Sequence, residues 1–126
     1  MPSCLIADDS KIMRMLLSKI MENFGYRVLE AENGEDLIEQ CAQEMPDLIV
    51  SDWELPLIDG VDVLLKIRST TKIKQPIFIF CSQLKNPTLI SQALTAGADD
   101  FIMRPFDEDI IASKLKIIKI LKEFNK

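Results

Sequence analysis

Residues 48–52 read LIVSD, a short apolar run that ends on a hydroxyl and a carboxylate. The same pattern recurs at residues 5–9, LIADD, and with a terminal hydroxyl at residues 78–82, FIFCS. A fourth apolar run, at residues 101–103, is followed by Arg104. Short apolar runs with polar ends are typical of strands buried in a parallel sheet. The repetition predicts such a sheet, with polar side chains collected where its strands end.

The segments between these runs have the spacing of amphipathic helices, with apolar residues three or four positions apart. Alternating strands and helices indicate βαβ units, whose right-handed crossovers keep the strands parallel. We predict strands at residues 4–7, 27–31, 48–51, 77–81 and 101–103, with a helix after each one. The 126 residues then form one α/β domain, 1–126, a flavodoxin-like (βα)₅ doubly wound parallel sheet of strand order 2-1-3-4-5.

Two of the predicted helices have faces that a structure can test. The first begins at Ser10, which we interpret as its N-cap, and ends at Gly25. Its inner face is predicted to consist of Met13, Leu16, Leu17, Ile20 and Phe24. The fifth helix runs from about residue 107 to 124, and its core face is predicted to consist of Ile111, Leu115, Ile118 and Leu121. The side positions Ile110, Ile117 and Ile120 form either an exposed contact surface or part of a wide buried face.

The composition excludes several functional classes. The net charge of −5 argues against a nucleic-acid binder that neutralises phosphates. Histidine is absent, which removes Ser-His-Asp catalysis and most zinc sites. The longest apolar run covers only residues 77–81, so no membrane span is expected, and the N-terminus lacks the pattern of a signal peptide. With three scattered cysteines, expected to be buried free thiols, we predict a cytoplasmic protein.

The ends of the predicted strands place five polar side chains at one edge of the sheet. Helix placement reverses between the first and third strands of such a sheet, which opens a crevice there. Asp8 and Asp9 flank this crevice on one side and Asp52 on the other, while Ser82 and Arg104 extend the same edge. Crowded carboxylates need a cation, and an all-oxygen set suits Mg²⁺. With a hydroxyl and a guanidinium beside them, they suit phosphoryl transfer to Asp52.

These residues also have plainer interpretations. A single aspartate after a strand is more often a turn former or a helix cap than a nucleophile, and Asp59 before Gly60 is best interpreted as a turn former. Arg104 could simply pair with a surface carboxylate. The common register of three aspartates with a hydroxyl and a guanidinium is what favours a functional site.

The chain resembles response-regulator receiver domains over essentially its full length, and it is most similar to the stand-alone, CheY-like chemotaxis type. The resemblance rests on DDS at residues 8–10, SDWELP at 51–56, DG at 59–60, AGA at 96–98 and RPF at 104–106. The block at 51–56 is the most specific of these, because a pair of aspartates alone is a weak signal.

The resemblance implies a role for each site residue. Asp52 takes the place of the phosphoacceptor, and Asp9, Asp52 and the backbone carbonyl of Glu54 take the places of the Mg²⁺ ligands. Asp8 would act on the metal through water. Ser82 takes the place of the family's switch hydroxyl.

Four positions depart from the family's usual pattern. Arg104 replaces a lysine whose bond to the following proline is cis, and its guanidinium is bulkier. Gln83 stands where alanine or glycine is usual, and we expect it to narrow access for small phosphodonors. Phe101 takes the place of the rotating aromatic but lacks the hydroxyl of CheY, so a switch there would act by packing alone. Leu84 is expected to shield the phosphoryl group from water.

The resemblance implies a stand-alone two-component response regulator, phosphorylated by a histidine kinase or a phosphotransfer protein. It would assist only its own phosphorylation and dephosphorylation, and it would have no output domain. The signal would pass to a partner protein through the face of the fourth helix, fifth strand and fifth helix, in chemotaxis and motor control or in a phosphorelay. The protein would be a monomer or a weak dimer.

Other functions remain as alternatives to this reading. One is a degenerate receiver that serves as a phosphorylation-independent adaptor. A phosphatase of the haloacid-dehalogenase type is disfavoured because no Asp-x-Asp follows the first strand, and a dinucleotide enzyme because no G-x-G-x-x-G does.

Overall fold

Residues 1–70, 74–83 and 86–124 are described by the computed structural model, and within them five strands form one parallel sheet covered by five helices. The strands are β1 (Ser3–Ala7), β2 (Arg27–Ala31), β3 (Leu48–Ser51), β4 (Ile77–Ser82) and β5 (Asp100–Met103). The helices are α1 (Lys11–Asn23), α2 (Gly34–Gln43), α3 (Gly60–Ser69), α4 (Pro87–Ala96) and α5 (Glu108–Phe124). The strand order is β2-β1-β3-β4-β5, which confirms the predicted flavodoxin-like topology.

The pairing register aligns the ends of the strands that carry the polar residues. Ala7 at the end of β1 pairs with Ser51 at the end of β3, so the next residues of both strands lie side by side. The Asp52 amide still donates to the Ala7 carbonyl, at 2.9 Å. At the other side of the sheet, the Arg104 amide donates to the Ser82 carbonyl at 3.1 Å. The register therefore collects the polar residues at one edge.

Both faces of the sheet are buried, which explains why its strands are apolar on both sides. Leu5, Ile49 and Phe78 point into the layer formed by α2, α3 and α4. Ile6 and Val50 point into the opposite layer, formed by α1 and α5. Because successive side chains of a strand alternate between its faces, one short strand serves two cores.

The cysteines belong to these cores, as predicted. In the part of the chain that the structure describes, Cys4, Cys41 and Cys81 are free and buried. Burial raises the pKa of the Cys41 thiol to about 11 and that of the Cys81 thiol to about 11, and it raises the pKa of Cys4 even more. All three side chains therefore stay neutral and pack as small apolar groups.

Side-chain caps explain where several helices begin. The Ser10 hydroxyl accepts from the Met13 amide at 3.2 Å, which confirms its interpretation as the N-cap of α1. Asn33 accepts from the Asp36 amide at 2.7 Å at the start of α2. Asp59 precedes α3 but makes no capping hydrogen bond through its side chain.

Three predicted core positions are wrong. Leu16 of α1 is 47% exposed, Phe24 at the end of α1 is 36% exposed, and Leu121 of α5 is 55% exposed. In α5 the buried face runs through Ile111, Leu115 and Ile118, and the next position on it is Lys122, whose ammonium pairs with Asp99 at 3.2 Å. Leu121 is consequently turned about 80° away from that face.

The side positions of α5 settle the alternative left open by the sequence. Ile110, Ile117 and Ile120 are exposed, so they are not part of a wide buried face. No helix within residues 1–70, 74–83 and 86–124 has the length and apolar character required to cross a membrane.

Candidate functional site

The structure brings three aspartates together where β1 and β3 end. Asp8 and Asp9 follow β1, Asp52 follows β3, and one carboxylate oxygen from each lies within 4.8 Å of the others. Asp8 is buried, Asp52 is half-buried and Asp9 is exposed. Three converging carboxylates with one solvent-facing member provide the hard oxygen donors that suit Mg²⁺, so the donor set fits the predicted metal.

The Asp52 carboxylate lies at the centre of this group. Burial raises its pKa, and the neighbouring Asp8 carboxylate acts in the same direction. Positive charge on Arg104 opposes this effect, as do hydrogen bonds from the Glu54 amide and the Ser82 side chain. The Glu54 amide lies 3.3 Å from Oδ1 of Asp52 and the Arg104 Nη2 atom 3.7 Å from Oδ2. Asp52 is thus a poorly solvated carboxylate held by a few donors.

The Arg104 guanidinium pairs with a buried carboxylate. Its Nη2 atom donates to Oδ2 of Asp8 and, at 3.1 Å, to the Cys81 carbonyl. The Nε atom is buried and has no hydrogen-bond partner among the described residues. The plainer interpretation, a pair with a surface carboxylate, is therefore wrong, because the Asp8 side chain is only 2% exposed. The peptide bond to Pro105 is cis.

Arg14 of α1 supports the backbone of this site and was missed in the sequence. Its Nη1 atom donates to the Asp8 carbonyl at 2.8 Å, and the side chain pairs with Glu30 at 3.0 Å. Arg14 is only 7% exposed. A usable signal was present, since Arg14 lies three and seven residues before Leu17 and Met21 on the buried face of α1.

The backbone of the loop after β3 lies very close to two glycines, Gly34 and Gly60. A Cβ atom on Gly60 would lie 2.6 Å from the Asp52 carbonyl, and one on Gly34 would lie 2.2 Å from the Ile58 carbonyl. In the same loop, Leu57 adopts a positive φ of 72°. Asp59 with Gly60 was predicted as a turn, but the more important property of Gly60 is the close approach that it permits to the backbone of Asp52.

Ser82 and Phe101, the two residues predicted to act as a switch, lie in β4 and β5. Ser82 is buried at the end of β4. Phe101 of β5 is buried, and its ring centroid lies 6.1 Å from that of Phe80, which in turn lies 5.1 Å from the Trp53 ring. A chain of aromatic contacts therefore connects β5 with the residue that follows Asp52.

A groove lies beside Arg104. It is lined by Met13, Leu16, Gln83, Arg104, Pro105 and Phe106. Gln83 is exposed there, and its effect on access for small phosphodonors stays a prediction. The prediction for Leu84 lies outside the described residues.

Comparison with known proteins finds a matching family and similar proteins for this chain. Residues 4–116 match the response regulator receiver domain family. The chain is 37% identical over 106 residues to the chemotaxis protein CheY of Bacillus subtilis, covering 83% of this chain and 87% of that one. It is 35% identical over 115 residues to CheY of Thermotoga maritima, covering 88% and 92%. The structure of chemotaxis response regulator CheY4 of Vibrio cholerae is similar in fold, with a TM-score of 0.85 over 94% and 98% of the two chains at 22% identity.

Proposed function

Because this chain belongs to the response regulator receiver domain family, we propose that it is a stand-alone response regulator phosphorylated on Asp52. CheY-like receiver domains are signalling proteins of two-component systems rather than enzymes in the usual sense. The observation that carries the proposal is the position of Asp52, whose carboxylate lies within 4.8 Å of the Asp8 and Asp9 carboxylates and 3.7 Å from Arg104. Within this proposal, residues 1–126 form a single receiver domain.

The acidic cluster is the basis for a proposed Mg²⁺ site. Receiver domains generally bind Mg²⁺ at an acidic pocket, and this chain has one in Asp8, Asp9 and Asp52. We assign Asp9, Asp52 and the backbone carbonyl of Glu54 as direct ligands, with Asp8 acting through water. When bound, the ion would neutralise negative charge on the phosphoryl oxygens during transfer.

Asp52, Arg104 and Ser82 each have a separate role in the proposed phosphoryl transfer. An oxygen of Asp52 attacks the phosphorus of a phosphohistidine, the new O–P bond forms as the N–P bond breaks, and the electron pair stays on the imidazole nitrogen. Arg104 stabilises one phosphoryl oxygen through its guanidinium, and the Ser82 hydroxyl donates to another. The raised pKa of Asp52 is consistent with a carboxylate that burial has left weakly solvated.

Output would depend on repacking near β5. Ser82 moving towards the phosphoryl group leaves space that Phe101 fills, and the face formed by α4, β5 and α5 changes with it. That face carries exposed Met103, Ile117 and Ile120, which suits binding of a partner protein. We propose a histidine kinase or phosphotransfer protein as the phosphoryl source, a cytoplasmic setting, and a monomer or weak dimer acting in chemotaxis or a phosphorelay.

Phosphorylation of Asp52 is tested with intact-mass measurement after incubation with acetyl phosphate and Mg²⁺. We expect the wild-type chain to gain one phosphoryl group, Asp52→Asn to gain none, and the exposed control Asp59→Asn to behave like wild type. A phosphotransfer screen against candidate kinases then identifies the donor. A phosphoryl group that persists in Asp52→Asn contradicts the assignment.

The alternative is an adaptor that needs no phosphorylation. One observation favours it, since Arg104 already supplies the acidic cluster with a cation. Trp53 is half-buried next to Asp52, so its fluorescence is a reporter. A lack of response to Mg²⁺, with or without acetyl phosphate, would support the adaptor.

A further inference from the structure

We propose that the cavity between α2 and α3 is a binding site for a small carboxylate with an alkyl chain, the chemistry of a medium-chain fatty acid. The cavity has a volume of about 460 Å³ and is lined by the second halves of α2 and α3 and by residues 74 and 75, before β4. It therefore lies near the edge where the strands begin, opposite the acidic cluster. The inference goes beyond the proposed function and does not depend on it.

The wall of the α2–α3 cavity contains apolar side chains that already belong to the core. Cys41 and Ile67 are buried members of the core on this face of the sheet, and Ile38 and Met45 are partly buried against it. An alkyl chain that enters the cavity leaves water and covers these side chains further, which is favourable. The volume lies within the range of about 300–1,000 Å³ usual for small-molecule sites.

The end of α3 forms a wall that is complete without a ligand. The Gln75 side-chain amide donates to the Thr70 carbonyl at 2.8 Å and to the Ile67 carbonyl at 3.2 Å. Its oxygen accepts from Nη1 of Arg68 at 3.1 Å. These backbone carbonyls at the end of α3 therefore already have donors, and the wall has the preformed character of a ligand site.

Two lysines give the α2–α3 cavity its charge. Lys74 pairs with Asp47, and this contact lowers the pKa of the Asp47 carboxyl. Lys66 is exposed and has no ion pair with any described residue. One positive charge is thus left without a counterion, in a chain whose net charge is −5. A single carboxylate complements it, whereas a doubly charged phosphate would also be repelled by Asp47.

The first test compares four ligands with the same alkyl chain by calorimetry on the full chain. We expect octanoate to bind with a dissociation constant below about 1 mM, as a ligand of ten non-hydrogen atoms can. Octanol should bind about three- to fivefold more weakly, the contribution of an exposed ion pair. Octylammonium and octyl phosphate should both bind more weakly than octanoate. If octanol or octyl phosphate binds as tightly as octanoate, a carboxylate is not the ligand class.

The second test removes the charge assigned to the carboxylate. Lys66→Met should weaken octanoate binding about three- to fivefold and leave octanol binding within about twofold of wild type. Lys116→Met is the matched control, because Lys116 is also exposed but lies on α5 and does not line the cavity. We expect it to bind both ligands like wild type. Equal weakening of octanoate binding in the two variants overturns the role of Lys66.

The third test fills the cavity. Ala42 lines it and is exposed, so Ala42→Phe places a ring in the cavity without replacing a buried side chain. We expect octanoate binding to weaken at least about tenfold, because the ring occupies the space of the alkyl chain. Ala112→Phe, at an exposed position of α5, is the matched control and should bind like wild type. Octanoate binding that is unchanged in Ala42→Phe overturns the location.

A fourth measurement uses only the wild-type chain and does not depend on the folding of a variant. Methyl NMR follows Ile38, Met45 and Ile67 during an octanoate titration, and we expect their signals to shift with the calorimetric midpoint. Ile117 and Ile120 are exposed on α5 and report non-specific adsorption to apolar surface, so their signals should not shift. Shifts confined to the α5 isoleucines, or no heat and no shift at millimolar octanoate, overturn the proposal. Phosphorylation of Asp52 is measured separately, and either result leaves it unaffected.

Discussion

Two arginine–aspartate pairs lie at opposite edges of the sheet, and their surroundings differ. At the edge where the strands begin, Arg68 donates from Nε to the Gly97 carbonyl at 2.9 Å, from Nη1 to the Pro76 carbonyl at 2.7 Å, and from Nη2 to Asp99 at 3.1 Å. At the edge where the strands end, Arg104 makes its contacts among the described residues through Nη2, and its Nε atom has no hydrogen-bond partner among them.

The two aspartates differ in the same way. Asp99 accepts from the Phe78 amide at 2.9 Å and pairs with Lys122 at 3.2 Å, in addition to Arg68. Asp8 instead lies beside two further carboxylates. The Arg68–Asp99 pair connects α3, β4, β5 and α5, whereas the Arg104–Asp8 pair balances charge in a site. The comparison shows an arginine with several hydrogen-bond acceptors at one edge, and at the other an arginine that is incompletely paired beside three carboxylates.

The largest effect is expected from Arg68→Met. Removing this arginine takes a donor from the Gly97 and Pro76 carbonyls and leaves Asp99 with only the Phe78 amide and Lys122, so we expect a loss of about 2–3 kcal/mol in the free energy of unfolding. Urea unfolding measures it, with and without Mg²⁺. Arg27→Met is the control, because the Arg27–Glu44 pair is exposed and should contribute less than about 1 kcal/mol. Restoration of stability by Mg²⁺ would contradict the comparison.

Arg104→Met should show a smaller loss that Mg²⁺ reverses. Without metal, the variant leaves the buried Asp8 carboxylate unpaired, for which we expect a loss of about 1–2 kcal/mol. A divalent cation at the same carboxylates stabilises the folded state by mass action and should recover most of that loss. The measurement is urea unfolding in EDTA and in excess Mg²⁺. If Arg104→Met remains as unstable in Mg²⁺ as Arg68→Met, the two edges do not differ as we describe.

Asp52→Asn should stabilise the fold, by about 1 kcal/mol at neutral pH. Burial and the Asp8 charge raise the pKa of Asp52, so the folded state binds its proton more tightly than the unfolded chain does. Wild-type stability from this group is therefore highest below the unfolded pKa of about 3.9 and falls as pH rises through the folded value. The advantage of Asn should disappear in acid.

Thermal unfolding between pH 3 and pH 8 checks this dependence. The ionic strength is kept constant throughout, because salt screens the interactions between charges. Asp99→Asn provides the contrast from the other edge, where removing the charge breaks the pairs with Arg68 and Lys122 and should lower stability. If Asp52→Asn is less stable than wild type at neutral pH, repulsion between the Asp52 and Asp8 carboxylates does not destabilise the edge where the strands end.

The smallest effect is expected in the groove beside Arg104. Gln83→Ala removes an exposed side chain from the groove beside Arg104, and we expect phosphorylation by acetyl phosphate to become about two- to threefold faster, less than 1 kcal/mol in activation free energy. Stopped-flow Trp53 fluorescence gives the rate. An unchanged rate would show that Gln83 does not restrict small phosphodonors. Arg104 would then be the departure from the family's pattern to test next for an effect on the phosphorylation rate.

Much of the site followed from local sequence patterns. The apolar runs predicted the strands, the strand order placed their ends at one edge, and Asp8, Asp9 and Asp52 met there. Arg14 was missed, and Gly60 was interpreted only as part of a turn, because their importance lies in contacts with the backbone of Asp8 and Asp52, which no periodicity reveals. Leu121 was misplaced because Lys122 takes the last position on the buried face of α5.

The sequence by itself determined the alternation of strands and helices and the residues of the acidic cluster, because these depend on short-range periodicity and on the parallel direction of strands joined by crossovers. Only the tertiary structure decided which carboxylate Arg104 pairs with, since Asp8 lies 96 residues away in the chain. It also decided that Arg68 is fully paired while Arg104 is not. Such choices depend on distances of a few ångströms between elements that the sequence orders but does not locate.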